Sequence, residues 1–289
     1  MEFRKAERRK AKLRLGITGP AGSGKTYGSL LIAKGLDGKV AMIDTENGSG
    51  NLYAALFDYD IGQIQAPYTV QKYLSAIHDA ENASYDVIII DSLSHAWAGE
   101  GGLLEMQGKI TDSSRSGNSW AAWRQVTPLH NKLIETMLNS PCNIIATMRS
   151  KTEYIQTENE QGKKEIKKVG LAPIQREGMD YEFSVVFDLG INHMATVSKD
   201  RTSLFDGKVF TLSEEVGQTL KTWLETGIDL QERKKQIRRI WDSYLSKYDN
   251  DSNLAHAAIK EIIGDKNANM LSQDDIEALL KGSEKSEVA

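Results

Sequence analysis

The chain has 289 residues, of which 40% are hydrophobic and 26% are charged, and its formal net charge at pH 7 is −4. These proportions are typical of a globular protein with a sizeable core, and the acidic balance does not by itself indicate a nucleic-acid-binding protein. Because the sequence has one cysteine, no run of eighteen apolar residues and no signal-peptide core, we expect no internal disulfide, no membrane span and a cytoplasmic location.

The phosphate-binding pattern G-x-x-x-x-G-K-[ST] occurs near the amino terminus, between a predicted strand and a predicted helix. Its glycines let the backbone curl so that N–H groups point at phosphates, Lys25 reaches the β- and γ-phosphates, and the Thr26 hydroxyl binds Mg²⁺. The residues predicted to bind the nucleotide are Gly19, Pro20, Ala21, Gly22, Ser23, Gly24, Lys25, Thr26 and Tyr27. The sequence therefore predicts a nucleoside triphosphate site, without a residue that selects adenine.

Strands and helices alternate from this motif to about residue 190, which favours an α/β fold with a mainly parallel sheet. The uninterrupted apolar run at 86–91 suits a strand at the centre of that sheet. The Gly-, Ser- and Thr-rich stretch 98–119 is predicted to be a loop with one helical turn. Apolar patterns predict strands at 12–18, 39–44, 61–65, 86–91 and 143–148, and helices at 27–34, 52–57, 70–82 and 120–138.

The rest of the chain completes this domain and adds a helical region. Residues 154–169 predict a hairpin with its tip at 159–162. The pattern becomes strongly charged and helical after Asp229. We predict a basic amino-terminal arm over residues 1–11, a nucleotide-binding core over 12–228, a helical region over 229–281 and a disordered tail over 282–289.

Two carboxylates follow strands that should end beside the phosphate-binding loop. Asp91 closes the strand at 86–91 and is the candidate Walker B residue, which orients Mg²⁺. Glu46 lies just past the strand at 39–44, where a carboxylate orients or deprotonates the attacking water. The alternatives are a capping aspartate at a strand end for Asp91 and a surface loop residue for Glu46.

Five segments together resemble the phage-encoded RecA-like ATPases, a group that includes short recombinases with single-strand annealing activity. The resemblance covers residues 12–205 and implies a RecA-like P-loop NTPase core, ATP and Mg²⁺ as cofactors, and a homo-oligomer with nucleotide at the subunit interface. It also implies that Glu46 is the catalytic base. The segments are Asp44-Thr45-Glu46, Ile88-Ile89-Ile90-Asp91-Ser92, and those at 146–154, 175–182 and 197–202.

The resemblance assigns roles to three cationic side chains. Lys199 and Arg201 match a Lys-x-Arg pair that inserts into the neighbouring subunit's site, where it stabilises charge on the transferring phosphoryl group. The alternative for this pair is a charged β-turn. Arg149 resembles a γ-phosphate sensor, although bacterial recombinases usually carry glutamine there.

The resemblance also implies that the loops at 99–119 and 152–172 contact single-stranded DNA, because the DNA-contacting loops of RecA cores follow two strands on this same sheet edge. Basic clusters favour contact with a phosphate backbone, and the alternative is a solvated charged face. Tyr154, Trp120 and Trp123 are available to stack on bases, although helical spacing favours a core or interface position for both tryptophans. The candidate DNA-binding residues are Arg115, Lys163, Lys164, Lys167 and Lys168.

These features favour a Mg²⁺-dependent, self-associating RecA-like ATPase that acts on single-stranded DNA in phage recombination, annealing or replication. The alternative is an ATP-gated assembly protein that recruits partners through its carboxy-terminal helices without acting on DNA, which the acidic net charge favours. A small-molecule P-loop kinase is a third interpretation.

Overall fold

In the computed structural model of the chain, the described residues are 5–114, 117–158, 164–268 and 271–284, and side chains at 152–158, 164–171 and 284 are not described. The chain divides into two compact units, Lys12–Leu224 and a smaller one formed by Met1–Ala11 with Glu225–Ala289. Each unit has its own hydrophobic core.

The larger unit is an α/β domain whose elements alternate as predicted. Two short 3₁₀ helices, Ser49–Tyr53 and Met179–Glu182, lie between its longer elements. Its strands are β1 (Arg14–Gly19), β2 (Val40–Asp44), β3 (Asp60–Gln63), β4 (Val87–Asp91), β5 (Asn143–Glu158), β6 (Lys164–Pro173), β7 (Val185–Leu189), β8 (Met194–Asp200) and β9 (Val209–Thr211). Its helices are α1 (Lys25–Leu36), α2 (Val70–Asn82), α3 (Ser94–Ala98), α4 (Leu103–Ser113), α5 (Ser119–Asn139) and α6 (Glu214–Glu225).

In the described part of the chain, nine strands form one sheet with the order β3-β2-β4-β5-β1-β7-β8-β9, and β6 pairs with β5 outside this path. The six strands from β3 to β7 are parallel, whereas β8, β9 and β6 are antiparallel to their neighbours. The prediction of an α/β fold with a mainly parallel sheet is confirmed.

The central strands are buried on both faces, which explains their uninterrupted apolar sequences. Every residue of β1, β2 and β4 is buried. Alternate side chains of each strand point to opposite faces, so that Ile88 and Ile90 join the core under α2 and α5, while Val87 and Ile89 join the core under α1 and α6. An apolar layer therefore covers each face of the sheet and leaves its carboxyl edge free to carry functional residues.

The stretch predicted as a loop at 98–119 is largely helical, so that prediction is wrong. Helix α4 begins at Leu103, which is buried, and ends at Ser113. Gln107 Nε2 on α4 donates to Ser119 Oγ at the start of α5, 2.9 Å away. The packing of α4 against α5 overrides the low helix propensity of the Gly and Thr residues, which a single-sequence pattern does not capture.

The smaller unit joins the amino-terminal segment to the last helices, α7 (Leu230–Lys247), α8 (Ser252–Ile263) and α9 (Gln273–Glu284). The predicted basic arm is held in place here, because Lys10 N donates to Ile228 O at 3.1 Å and the half-buried Glu7 accepts from the buried Arg233 at 2.7 Å. Helix α9 also extends into the predicted tail at 282–289 as far as Glu284, where Lys247 Nζ donates to Gly282 O.

Among the described residues, no helix combines the length and the apolar composition needed to cross a bilayer.

Burial of His130 on α5 makes the larger unit sensitive to acid. His130 is 8% exposed, and burial together with the charge of Arg176 lowers its pKa to about 4. In the unfolded chain a histidine has a pKa of about 6.5, so the unfolded state binds a proton at pH 5 that the folded state does not. We expect the free energy of unfolding to fall by about 2 kcal/mol through this group between pH 7 and pH 5.

Urea unfolding followed by tryptophan fluorescence at both pH values measures this loss. His130→Gln should reduce the pH dependence by that amount, whereas His78→Gln, at an exposed surface position, should retain most of it. An unchanged pH dependence in His130→Gln would contradict the expectation.

Candidate active site

The phosphate-binding loop connects the end of β1 to the start of α1. Gly22 and Gly24 have φ angles of 76° and 87°, a left-handed conformation that other residues adopt only with strain. This curl turns the backbone over the amino end of α1, whose first N–H groups have no partner within the helix. The loop therefore presents donors and the positive end of a helix dipole, which together attract an anion such as phosphate.

The Lys25 side chain folds back over this loop. Its Nζ donates to the carbonyl oxygens of Gly19 and Pro20, at 2.9 and 2.8 Å. Burial lowers the pKa of Lys25, and the nearby charges of Asp91 and Glu46 oppose that shift. The ammonium is thus held within the loop by neutral carbonyl oxygens. Negatively charged phosphate oxygens would bind it more strongly and could replace these carbonyls.

Asp91 is held by hydroxyl groups from two neighbouring elements. Thr26 Oγ1 donates to Asp91 Oδ2 at 2.6 Å, and Thr147 Oγ1 on β5 donates to Asp91 Oδ1. Asp91 is 2% exposed, and burial raises its pKa although both hydroxyl bonds oppose the shift. A hydroxyl and a carboxylate are oxygen ligands suited to Mg²⁺, which takes its remaining ligands from phosphates and water.

The Thr26 hydroxyl and the Asp91 carboxylate are suited to a metal ion that binds together with a nucleotide. In the described part of the chain, no group of three or more His, Cys, Asp or Glu side chains is placed to hold a metal. The Thr26 hydroxyl can offer an oxygen lone pair to a cation while its O–H still donates to Asp91, so metal binding does not require this hydrogen bond to break.

Glu46 forms an ion pair with Arg149 across the carboxyl edge of the sheet. Arg149 Nε donates to Glu46 Oε1 at 2.8 Å, and the second guanidinium nitrogen donates to the other carboxylate oxygen. Burial raises the pKa of Glu46, but the hydrogen bonds and charge of Arg149 outweigh it, and the pKa lies below its usual value. In this arrangement Glu46 is a weak base, because its proton-accepting oxygens are already engaged.

Two residues that no motif identifies, His95 and Tyr68, complete this part of the site beside Thr45. The segment after β2 places Thr45 beside His95 on α3, with 2.7 Å between Thr45 Oγ1 and His95 Nδ1. The imidazole stacks on Tyr68 at 4.7 Å between ring centroids, and burial lowers the pKa of His95. Sequence reasoning missed this group because its members are far apart in the chain and have no diagnostic spacing.

A cavity of about 510 Å³ borders the phosphate-binding loop. Tyr27, which the motif includes, packs against Tyr53 and Phe57 with ring centroids 5.8 and 5.5 Å away. His193 and Tyr53 also line the cavity. Neither could be predicted to lie here, because only the fold brings the turn between β7 and β8, with His193, and the 3₁₀ helix after β2, with Tyr53, to the loop.

Lys199 and Arg201 lie at the end of β8, where their side chains bind the 3₁₀ helix of their own chain. Lys199 Nζ donates to the carbonyl oxygens of Asp180 and Tyr181, at 2.9 and 2.5 Å. Arg201 donates to Tyr181 O at 3.3 Å. Burial and the charge of Arg201 lower the pKa of Lys199. The described contacts do not include the groups around Asp91, so a role in hydrolysis requires a second subunit.

The candidate DNA-binding residues mostly lie beyond what the structure describes. Arg115 and Lys163 lie outside the described residues. The other three, Lys164, Lys167 and Lys168, lie on β6, whose backbone pairs with β5, and their side chains lie outside the description.

The two tryptophans of α5 differ in their environments. Trp123 packs against the core, but Trp120 is 84% exposed, so a core position is wrong for Trp120. Trp120 lies on the first turn of α5, beyond the buried stripe that begins with Ala122. Helical spacing alone does not show where the core ends along a helix.

Comparison with known proteins gives one family match. The AAA domain family matches residues 11–229. No curated protein sequence matches the chain.

Solved structures with similar folds include the RadB recombinase, at 16% identity and a TM-score of 0.38 over 71% of this chain and 89% of the other. Another is a prototypical ATPase from the type III secretion system of pathogenic bacteria, at 12% identity and a TM-score of 0.38 over 94% of this chain and 81% of the other. At these TM-scores, neither similarity bears on what the chain does.

Replacing Arg149 tests whether its side chain sets the basicity of Glu46. In Arg149→Gln, loss of the charged hydrogen bonds should move the carboxyl titration of Glu46 to higher pH, because those bonds lower its pKa. The shift is measured by NMR on the full chain labelled with ¹³C at glutamate carboxyls, with the Glu46 signal assigned by its loss in Glu46→Gln.

Lys109→Gln provides a matched control, because Lys109 pairs with Glu105 on the exposed face of α4. This variant should change the titration of Glu105 and leave that of Glu46 unchanged. A Glu46 titration in Arg149→Gln that matches the parent chain would show that Arg149 does not control it.

Proposed function

The chain belongs to the AAA domain family and is a P-loop ATPase, and from this premise we propose that it hydrolyses ATP with Mg²⁺ in a self-associated form that acts on single-stranded DNA. The observation that carries the proposal is the cluster at one sheet edge. There the P-loop lysine, the hydroxyl-bound Asp91 and the Glu46–Arg149 pair follow neighbouring parallel strands. Phage recombination, annealing or replication is the setting that the sequence resemblance favours.

Each residue of the cluster has a distinct task in hydrolysis. Thr26 and Asp91 would hold Mg²⁺, which neutralises charge on the phosphates. Lys25 leaves its loop carbonyls and binds the β- and γ-phosphates. Arg149 exchanges Glu46 for the γ-phosphate, which frees the carboxylate. The freed Glu46 then accepts the proton of the water that attacks phosphorus, and the bond to the leaving diphosphate oxygen breaks.

Coupling to DNA would run through β5. Arg149 lies where β5 leaves the central sheet and continues as a two-stranded ribbon with β6. Ile174 N, just past β6, donates to Arg149 O at 2.6 Å, so the base of the ribbon is bound to the residue that would contact the γ-phosphate. Movement of Arg149 on nucleotide binding would therefore reach the lysine-bearing ribbon directly.

Steady-state ATP hydrolysis with and without single-stranded DNA, over a series of salt concentrations, tests the proposal. We expect DNA to stimulate hydrolysis, and the stimulation to fade as salt rises, because binding to phosphates releases counterions. Lys25→Ala should abolish hydrolysis under every condition.

A flat rate at every DNA and salt concentration, without DNA binding, would favour the second candidate function. In that case the chain is an ATP-gated assembly protein that recruits partners through α7–α9, and the acidic net charge is the observation that favours it.

Mixing two inactive variants tests whether the active site is shared between subunits. Arg201→Ala should lower the rate of hydrolysis by about 10³-fold if Arg201 acts as an arginine finger. An equimolar mixture with Lys25→Ala should regain activity, because some interfaces then combine an intact Lys25 with an intact Arg201. A mixture as inactive as its components would exclude the shared site.

A further inference from the structure

An open groove of about 990 Å³ lies on the larger unit, away from the phosphate-binding loop. Its walls come from α3, from the first half of α5 and from the segment after β6. The residues that line it include four large aromatic side chains, Trp97, Trp120, Trp123 and Tyr181.

The aromatic side chains of the groove differ in exposure, from partly buried against the core to largely exposed to solvent. Trp97 and Trp123 stack with their ring centroids 5.7 Å apart, and both pack against the hydrophobic core. Trp120 and Tyr181 are 84% and 71% exposed. The inner pair is thus fixed by packing, while the outer pair offers ring surface to a ligand.

The groove also carries cations that are not neutralised. The guanidinium of Arg176 lies 5.8 Å from the centroid of the Trp123 ring. Among the described residues, neither Arg176 nor Arg124 forms a salt bridge with an acidic side chain. One carboxylate, Glu177, also lines the groove, so positive charge exceeds negative charge there.

We propose that this groove binds the unpaired bases of single-stranded DNA, with Trp120 and Tyr181 stacking on bases and Arg124 and Arg176 contacting phosphates. Exposed rings beside unpaired arginines are the combination that recognises single strands, since every base has a face to stack and every nucleotide a charge to pair. This inference rests on the proposed function, and it names the contact surface for that DNA.

The groove is also connected to the nucleotide site. Trp97 belongs to α3, the helix that directly follows Asp91 and β4. On the opposite wall, Gln175 precedes Arg176, and its Nε2 donates to Leu93 O at 3.3 Å. Both walls of the groove are therefore attached to the segment that follows Asp91. Binding of single-stranded DNA in the groove could in this way alter the position of residues at the nucleotide site.

The test compares binding of labelled oligodeoxythymidine with that of an abasic oligomer of equal length, by fluorescence anisotropy of the full chain with ATP and Mg²⁺. The abasic strand keeps the phosphates and lacks the bases. We expect Trp120→Ala to weaken oligodeoxythymidine binding about tenfold, to leave abasic binding unchanged and to preserve the salt dependence. Tyr181→Ala should behave similarly, and Trp120→Phe should retain most of the affinity because it keeps a ring.

Leu254→Ala is the matched control, an exposed apolar side chain in the smaller unit, and it should bind both oligomers as the parent chain does. Parent-like binding of both oligomers by Trp120→Ala and Tyr181→Ala would overturn the groove assignment while leaving the proposed function intact. Parent-like DNA binding together with loss of self-association in sedimentation would overturn it in favour of an interface between copies. If the parent chain binds neither oligomer, the proposed function fails, and the groove assignment fails with it.

Discussion

The site depends on keeping one carboxylate buried at the edge of a parallel sheet. Asp91 is almost fully buried, and an ionised carboxylate in such a place is costly unless hydrogen-bond donors surround it. The hydroxyls of Thr26 and Thr147 supply those donors from α1 and from β5. Their positions follow from the register of β1, β4 and β5, so the sheet, the phosphate-binding loop and the candidate Mg²⁺ site are one arrangement.

The pKa of a second carboxylate at the same edge is shifted in the opposite direction. Burial raises the pKa of Asp91, whereas Arg149 lowers that of Glu46. Glu46 is therefore a charged group bound to a cation, and its use as a base depends on where that cation goes. Because Ile174 N, just past β6, donates to the backbone oxygen of Arg149, the residue whose side chain lowers the pKa of Glu46 also holds the base of the β5–β6 ribbon.

The net negative charge of the chain is a poor guide to its surfaces. Binding to single-stranded DNA depends on local positive charge and on exposed aromatic rings. The groove formed by α3, α5 and the segment after β6 has both. Trp120 shows the difference most clearly. Its spacing along α5 favoured a core or interface position, and of these the core position is wrong, because Trp120 lies beyond the stripe of α5 that packs on the sheet.

The sequence by itself determined the phosphate-binding loop, the buried central strands and Asp91, because each depends on residues that are adjacent in the chain. The loop depends on a glycine pattern that permits left-handed turns. The strands and Asp91 depend on apolar runs that end at an acidic residue. It also indicated the alternating fold class. Helix α4, the Glu46–Arg149 pair and the contact between Thr45 and His95 were decided by the tertiary structure. Each of these depends on packing or on partners brought together by the strand order, and local sequence does not encode distances between elements far apart in the chain.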